Sequence, residues 1–169
     1  GYGSQMTIAA LTAQLVPDRA ARILDVGCGT GLLAAFLMEE GFSQIDGLDY
    51  SAEMLDVAKR KGRIVERGEK DLNQSLEMGE AQFDALVSTG TFTHGHVGGD
   101  CLGALIEVLR PGGVLICTVH QDVWDKGRFG AVLAGLVSSG AAEIVSRDPD
   151  RLFESDVTPT GWYVVVRRC

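Results

Sequence analysis

The stretch Ile23-Leu24-Asp25-Val26-Gly27-Cys28-Gly29-Thr30-Gly31 decides how the rest of the chain is read. It is a short apolar strand that ends in an acid and runs into a glycine-rich turn. Residues 32–40 follow at once with a helical pattern. Glycines at alternate positions let the backbone take conformations closed to other residues and let a ligand approach closely. A strand end, such a turn and a helix N-terminus in succession suit a nucleotide-like ligand. Dinucleotide-binding turns carry G-x-G-x-x-G, whereas the spacing here is D-x-G-x-G-x-G.

Outward from this turn, helical and strand patterns alternate. Residues 6–16 are apolar at helical spacing and stop before Pro17. Strand one covers 22–26, and Gly41 closes the helix after it. Strand two covers 44–48 and ends in Asp49, and Ser51 is placed to cap a helix over 52–61 that stops at Gly62. Residues 63–70 are too charged for anything but an edge strand. Strand four spans 83–88, and a loop with His94 and His96 leads to Asp100, a cap for a helix over 101–109. The turn Arg110-Pro111-Gly112-Gly113 enters strand five, 114–120. A helix over 129–139 and strands over 142–147 and 162–167 complete the pattern. The alternation predicts an α/β fold with a parallel sheet covered on both faces. No helical pattern separates the last two strands, so they form a hairpin and one of them runs antiparallel.

Composition narrows the function. A chain of 169 residues, 46% apolar and 22% charged, is one globular domain over 1–169. The net charge of -8 argues against nucleic acid as the partner, because phosphate backbones need clustered Lys and Arg. The longest basic run, Lys59-Arg60-Lys61, reads as a solvated helix C-terminus favoured by the macrodipole. Cys28, Cys101, Cys117 and Cys169 have no metal-ligand spacing, which points to free thiols in a reducing cytoplasm and to no bound metal. No apolar run reaches membrane-spanning length and no signal peptide opens the chain, so no membrane partner is expected. The chain begins Gly1-Tyr2-Gly3-Ser4 without an initiator Met, and a preceding segment is expected to be missing.

The turn 25–31 resembles motif I of the class I S-adenosylmethionine-dependent methyltransferases, and four further stations follow in that family's order. Asp49 lies within Gly47-Leu48-Asp49-Tyr50-Ser51-Ala52-Glu53-Met54-Leu55, similar to the family's ribose-binding station. An ionised carboxylate only accepts hydrogen bonds and so pairs naturally with a vicinal diol. Asp71-Leu72 resembles the adenine-binding station; a turn-forming Asp is the other reading. Phe83-Asp84-Ala85-Leu86-Val87-Ser88 with Thr89-Gly90-Thr91-Phe92 resembles motif IV, and Leu109-Arg110-Pro111-Gly112-Gly113 matches the family's turn before strand five. The resemblance implies a Rossmann-like, doubly wound sheet of seven strands in the order 3-2-1-4-5-7-6. It implies S-adenosylmethionine as cofactor, S-adenosylhomocysteine as product, and cofactor contacts from Asp25, Gly27, Cys28, Gly29, Gly31, Asp49, Tyr50, Met54, Asp71, Leu72 and Thr89.

The loop Thr89-Gly90-Thr91-Phe92-Thr93-His94-Gly95-His96-Val97 resembles a subgroup of small methyltransferases that includes the mammalian Williams-Beuren-region methyltransferase-like proteins. Either His94 or His96 is a candidate general base, since imidazole titrates near neutrality; ordering of the loop by hydrogen bonds is the other reading. His120 and Trp124 are candidates for the acceptor pocket, with plain packing as the alternative for Trp124, while Trp162 and Tyr163 are expected in the core. No N-P-P-Y-type motif follows strand four, which favours a small-molecule acceptor over adenine, cytosine or glutamine amino groups. Two other functions fit less well. A nicotinamide-dependent oxidoreductase is disfavoured by the glycine spacing and by the lack of a Y-x-x-x-K pair or a second domain; a non-catalytic cofactor-binding protein would show a broken motif I or no polar groups on the acceptor side, whereas motif I here is intact.

Overall fold

The computed structural model describes residues 3–74, 78–93, 97–150 and 160–169. One sheet of seven strands organises them: β1 (Ile23–Val26), β2 (Ile45–Asp49), β3 (Arg67–Glu69), β4 (Phe83–Phe92), β5 (Leu109–His120), β6 (Ala142–Asp150) and β7 (Gly161–Arg168). The spatial order is β3-β2-β1-β4-β5-β7-β6, as the resemblance implied. All neighbours are parallel except β7, which runs antiparallel to both β5 and β6. The predicted hairpin is therefore present, and β7 is the antiparallel strand.

Among the described residues six α-helices cover the sheet: α1 (Gly3–Leu15), α2 (Leu32–Glu39), α3 (Ala52–Arg60), α4 (Leu102–Val108), α5 (Gln121–Asp125) and α6 (Phe129–Ser138). The strands are apolar on both faces, and their two-residue period deals side chains alternately to two cores. Ile23, Ala85, Val87, Ile116 and Val165 pack with Leu33 and Leu37 of α2 and Leu55 of α3. Leu24, Leu86, Leu115, Val164 and Val166 pack with Leu102 and Leu105 of α4 and Phe129 and Leu133 of α6. Ser51 caps α3 by accepting the Met54 N–H at 3.3 Å. Arg19 ties the end of α1 to the end of α2 by donating to the Val16 and Glu40 carbonyls.

The structure corrects several sequence expectations. Asp100 does not cap α4: residues Gly99–Cys101 form a 3₁₀ turn, α4 starts at Leu102, and Asp100 meets Arg128 at the surface. Strand four does not stop at Ser88. It continues to Phe92 through a bulge, with four steps from Ser88 to Phe92 on β4 against two from Cys117 to Val119 on β5. Helix α5 had no periodic signal, being only five residues long and held by a side-chain cap from His120. Trp162 and Tyr163 are half-buried rather than core, and Trp162 lies under the Arg147 guanidinium at 4.4 Å. Trp124 packs on Phe129, with ring centroids 5.7 Å apart, and borders neither of the cavities described next.

Candidate active site

The chain leaves β1 for β2 on one side and returns to β4 on the other, so a crevice opens beyond the C-terminal ends of β1, β2 and β4. Such a switch point is where open α/β sheets bind ligands. A cavity of about 350 Å³ lies there, bordered by Gly27, Asp49, Tyr50, Lys70, Asp71, Leu72, Asn73, Gly90, Thr91 and Val97.

The glycine turn at its base is committed to the protein rather than open to an anion. The Gly27 and Cys28 N–H groups both donate to the Leu48 carbonyl, at 2.7 and 3.0 Å, and the Gly31 N–H donates to Cys28 O. The Gly29 N–H donates to Asp49 Oδ2 at 2.8 Å. A loop that cradles phosphates keeps such groups for its ligand. Two of the glycines are required by packing. A Cβ on Gly27, at φ +69°, would run into the Thr91 side chain, and one on Gly31, at φ +82°, would stand 2.9 Å from Arg63 Cβ. A Cβ on Gly29 would meet only Met54 Sδ, at 3.8 Å. The close approach inferred from the glycine spacing is thus mostly of the turn to its own fold.

Two acids define the electrostatics. Asp49 is held rigidly by both oxygens, since Oδ1 accepts the Ser51 N–H at 2.9 Å while Oδ2 takes Gly29. Each oxygen keeps one further lone pair. Asp25 is buried, and its Oδ2 has no hydrogen-bond partner among the described residues. Burial, and secondarily the Asp49 charge, push its carboxyl well above the ordinary carboxylate range. Of the two acids, Asp49 borders the cavity and Asp25 lies behind it, out of solvent.

The other expected cofactor residues divide clearly. Tyr50 is 73% exposed and Met54 46%, apolar surfaces of the kind a flat ring covers. Leu72 and Asp71 border the cavity, and Asp71 Oδ1 also accepts the Asn73 N–H at 2.9 Å, so a turn role coexists with its position at the cavity. Cys28 turns its thiol into the core, where Gly47 of β2 makes room for it: a Cβ on Gly47 would be 2.7 Å from Cys28 Sγ. Burial, with Asp25 and Asp49 nearby, pushes that thiol far up, so it stays protonated and Cys28 offers its backbone alone. Thr89 does not border this cavity; Thr91 does, and Thr91 Oγ1 and Ser88 Oγ both donate to the Val26 carbonyl at 3.1 and 2.7 Å. His94 and His96 lie outside the described residues. Sequence reasoning missed Lys70, Asn73, Gly90, Thr91 and Val97 as cavity residues.

A second cavity of about 240 Å³ adjoins the first along Gly90 and is bordered by Thr89, Thr93, Thr118, His120, Thr160 and the first turn of α1. His120, expected at an acceptor pocket, is at this one.

Residues 23–113 match the methyltransferase domain family, just over half of the chain. Among relatives, methyltransferase-like protein 27 of Homo sapiens is 34% identical over 86% of this chain and 62% of its own length. The malonyl-[acyl-carrier protein] O-methyltransferase of Enterobacter lignolyticus is 35% identical over 64% of this chain and 43% of its own. The chain therefore spans less than two thirds of these relatives. Among solved structures, an S-adenosylmethionine-dependent methyltransferase from Mesorhizobium loti superposes with a TM-score of 0.67 at 20% identity, covering 94% of this chain and 96% of that one. A TehB-like one from Corynebacterium glutamicum superposes at 0.72 and 23% identity, covering 95% and 86%. Both share the fold.

Proposed function

The chain belongs to the S-adenosylmethionine-dependent methyltransferase family, and on that premise we propose that it methylates a small molecule held in the second cavity from a cofactor held in the first. When bound, S-adenosylmethionine supplies an activated methyl: a bond forms to the acceptor's lone pair as the carbon–sulfur bond breaks, leaving S-adenosylhomocysteine.

The residues present fit this cofactor. Asp49, fixed by Gly29 and Ser51, offers its two remaining lone pairs to the ribose hydroxyls. Tyr50 and Met54 would lie against the adenine, and Leu72 and Asp71 would hold its edge, Tyr50, Asp71 and Leu72 bordering the cavity and Tyr50 and Met54 exposing their side chains. Asp25, which ends the strand before the glycine turn and keeps an unpaired buried oxygen, would gain from a cationic amino-acid end beside that turn. The cofactor's positive charge also suits a chain with a net charge of -8. Asp49 carries the reading: its carboxylate takes the Gly29 N–H of a turn in which the Gly27, Cys28 and Gly31 N–H groups are also already used. A pyrophosphate would find those donors taken, which weighs against the nicotinamide alternative.

The acceptor side needs only positioning and exclusion of water, because the donor is already activated. The size of the second cavity supports a small-molecule acceptor, and the O-methyltransferase name of the Enterobacter relative supports oxygen as the accepting atom. Among the described residues no helix is long and apolar enough to cross a membrane. Calorimetry with S-adenosylhomocysteine beside NAD tests the proposal. Micromolar or tighter binding of S-adenosylhomocysteine and none of NAD is expected; binding of NAD alone would sink it.

A further inference from the structure

We infer that Thr118 is a positioning residue for methyl transfer: its hydroxyl holds Gly90, where the two cavities meet, and so sets the width of the passage between them. This rests on the methyltransferase reading above and adds to it a residue outside all five sequence stations. Gly90 borders both cavities. A methyl moving from a donor in the first to an acceptor in the second therefore passes beside it.

The sheet explains why Gly90 needs holding. Ser88 pairs with Cys117 and Phe92 with Val119, so residues 89–91 of β4 face the single residue Thr118 of β5. Extra residues in a bulge lose their ladder partners, and their backbone groups must find others. The Gly90 N–H donates to Thr118 Oγ1 at 3.3 Å, and the Gly90 carbonyl accepts from Thr93 Oγ1 at 3.2 Å. One residue on, Thr91 Oγ1 donates to the Val26 carbonyl at 3.1 Å, which ties the bulge to the end of β1 just before the glycine turn. Side-chain hydroxyls thus stand in for missing rungs of the ladder.

Packing cannot replace these bonds at Gly90. The residue is exposed, its φ is +72°, and a Cβ built on it meets nothing within 4 Å. A glycine in open space keeps its conformational freedom unless hydrogen bonds restrict it. Thr118 is the opposite. It is buried, it pairs on its other side with Tyr163 of β7, and its branched Cβ restricts χ1. Its hydroxyl is therefore presented from a fixed frame to a part of β4 that the ladder does not hold.

The consequence is selectivity for the size of the group on the donor sulfur. A passage held at one width admits a methyl and resists a longer chain; a passage free to widen distinguishes them less.

The test compares S-adenosylmethionine, S-adenosylhomocysteine and S-adenosylethionine, whose alkyl group is one carbon longer, by calorimetry. Nuclear magnetic resonance follows the Gly90 amide in parallel. The unaltered protein should bind the ethyl analogue at least about fivefold more weakly than S-adenosylmethionine. Thr118→Val removes the hydroxyl, and should narrow that gap to within about twofold while S-adenosylhomocysteine affinity stays within about twofold. It should also speed exchange of the Gly90 amide with solvent by about tenfold. Thr93→Val frees the Gly90 carbonyl and should narrow the gap in the same direction. Thr118→Ser keeps the hydroxyl but loses a methyl, so it should match the unaltered protein in both readouts; a role in packing alone would leave it no better than Thr118→Val.

Three results overturn the inference: no preference for methyl over ethyl in the unaltered protein, an unchanged preference in both Thr118→Val and Thr93→Val, or a Thr118→Ser variant as permissive as Thr118→Val. Failure of S-adenosylmethionine and S-adenosylhomocysteine to bind the unaltered protein would sink the methyltransferase reading and this inference with it. Binding of both, with any of the three results, sinks the inference alone.

Discussion

The two cavities meet at Gly90 but are built in opposite ways. The first is assembled from short stretches that follow one another along the chain, the turn after β1, the acid ending β2 and the turn after β3, and it is held by backbone hydrogen bonds and carboxylates. The second is assembled from the first turn of α1, the β4 bulge, the end of β5 and the start of β7, and it presents neutral polar side chains. A site for a common donor can be carried by compact motifs with rigid charge. A site for one particular acceptor needs side chains that can be changed without disturbing that frame.

Substitutions can break this contrast, and glycine gives the largest expected effect. Gly27→Ala puts a Cβ into the Thr91 side chain at a left-handed φ, and should cost about 3 kcal/mol of stability by denaturant unfolding and abolish S-adenosylhomocysteine binding. Gly90→Ala, with the same hand of φ but open space around it, should cost only about 1 kcal/mol. Equal losses at the two positions would erase the distinction between a glycine required by packing and one required by the cavity.

Next in size is Asp49→Ala. Losing charge-assisted bonds worth roughly 1.5–3 kcal/mol each should weaken S-adenosylhomocysteine by at least about tenfold in calorimetry. An unchanged cofactor affinity would remove Asp49 from the site.

Asp25 gives a pH-dependent effect. Its carboxyl is raised in the folded protein, so between the ordinary carboxylate value and the raised one the native state holds a proton that the unfolded chain has lost. Stability therefore falls as pH rises through that window, and the contribution is fully present only below it. Asp25→Asn should flatten the slope and raise the melting temperature at neutral pH, yet weaken the cofactor. Binding of S-adenosylmethionine to the unaltered protein should release a proton, read as a calorimetric heat that varies with the buffer's ionisation enthalpy. A buffer-independent heat would mean that Asp25 does not face the ligand's charge.

The smallest effect is expected outside both cavities. Asp100→Ala breaks an exposed 3.8 Å pair with Arg128 and should shift stability by no more than about 0.5 kcal/mol, with S-adenosylhomocysteine bound as before.

Much of the first cavity was legible in the sequence. Gly27, Asp49, Tyr50, Asp71 and Leu72 all border it, because strand ends, caps and glycine turns declare themselves within a few residues. The glycines were assigned for the wrong partner, since nothing local says that Gly27 faces Thr91 or Gly31 faces Arg63. Thr89 was expected at the cofactor where Thr91 stands. The extra residues of the β4 bulge explain the exchange: a bulge breaks the two-residue alternation that assigns side chains to faces, and it has no signature in composition. The Leu109-Arg110-Pro111-Gly112-Gly113 turn shows the same effect, with five steps from Leu109 to Val114 against two from Phe83 to Ala85.

The sequence by itself determined the alternation of helices and strands, the closing hairpin and the donor side of the site. Periodicity, capping and glycine turns act over a few residues and need no partner. Tertiary structure alone decided that Gln5 and Thr160, near opposite ends of the chain, share one wall, that His120 is turned to cap α5, and that Thr91 rather than Thr89 closes on the glycine turn. These depend on strand order and on register shifted by a bulge, which the pairing of distant segments settles only when the sheet has formed.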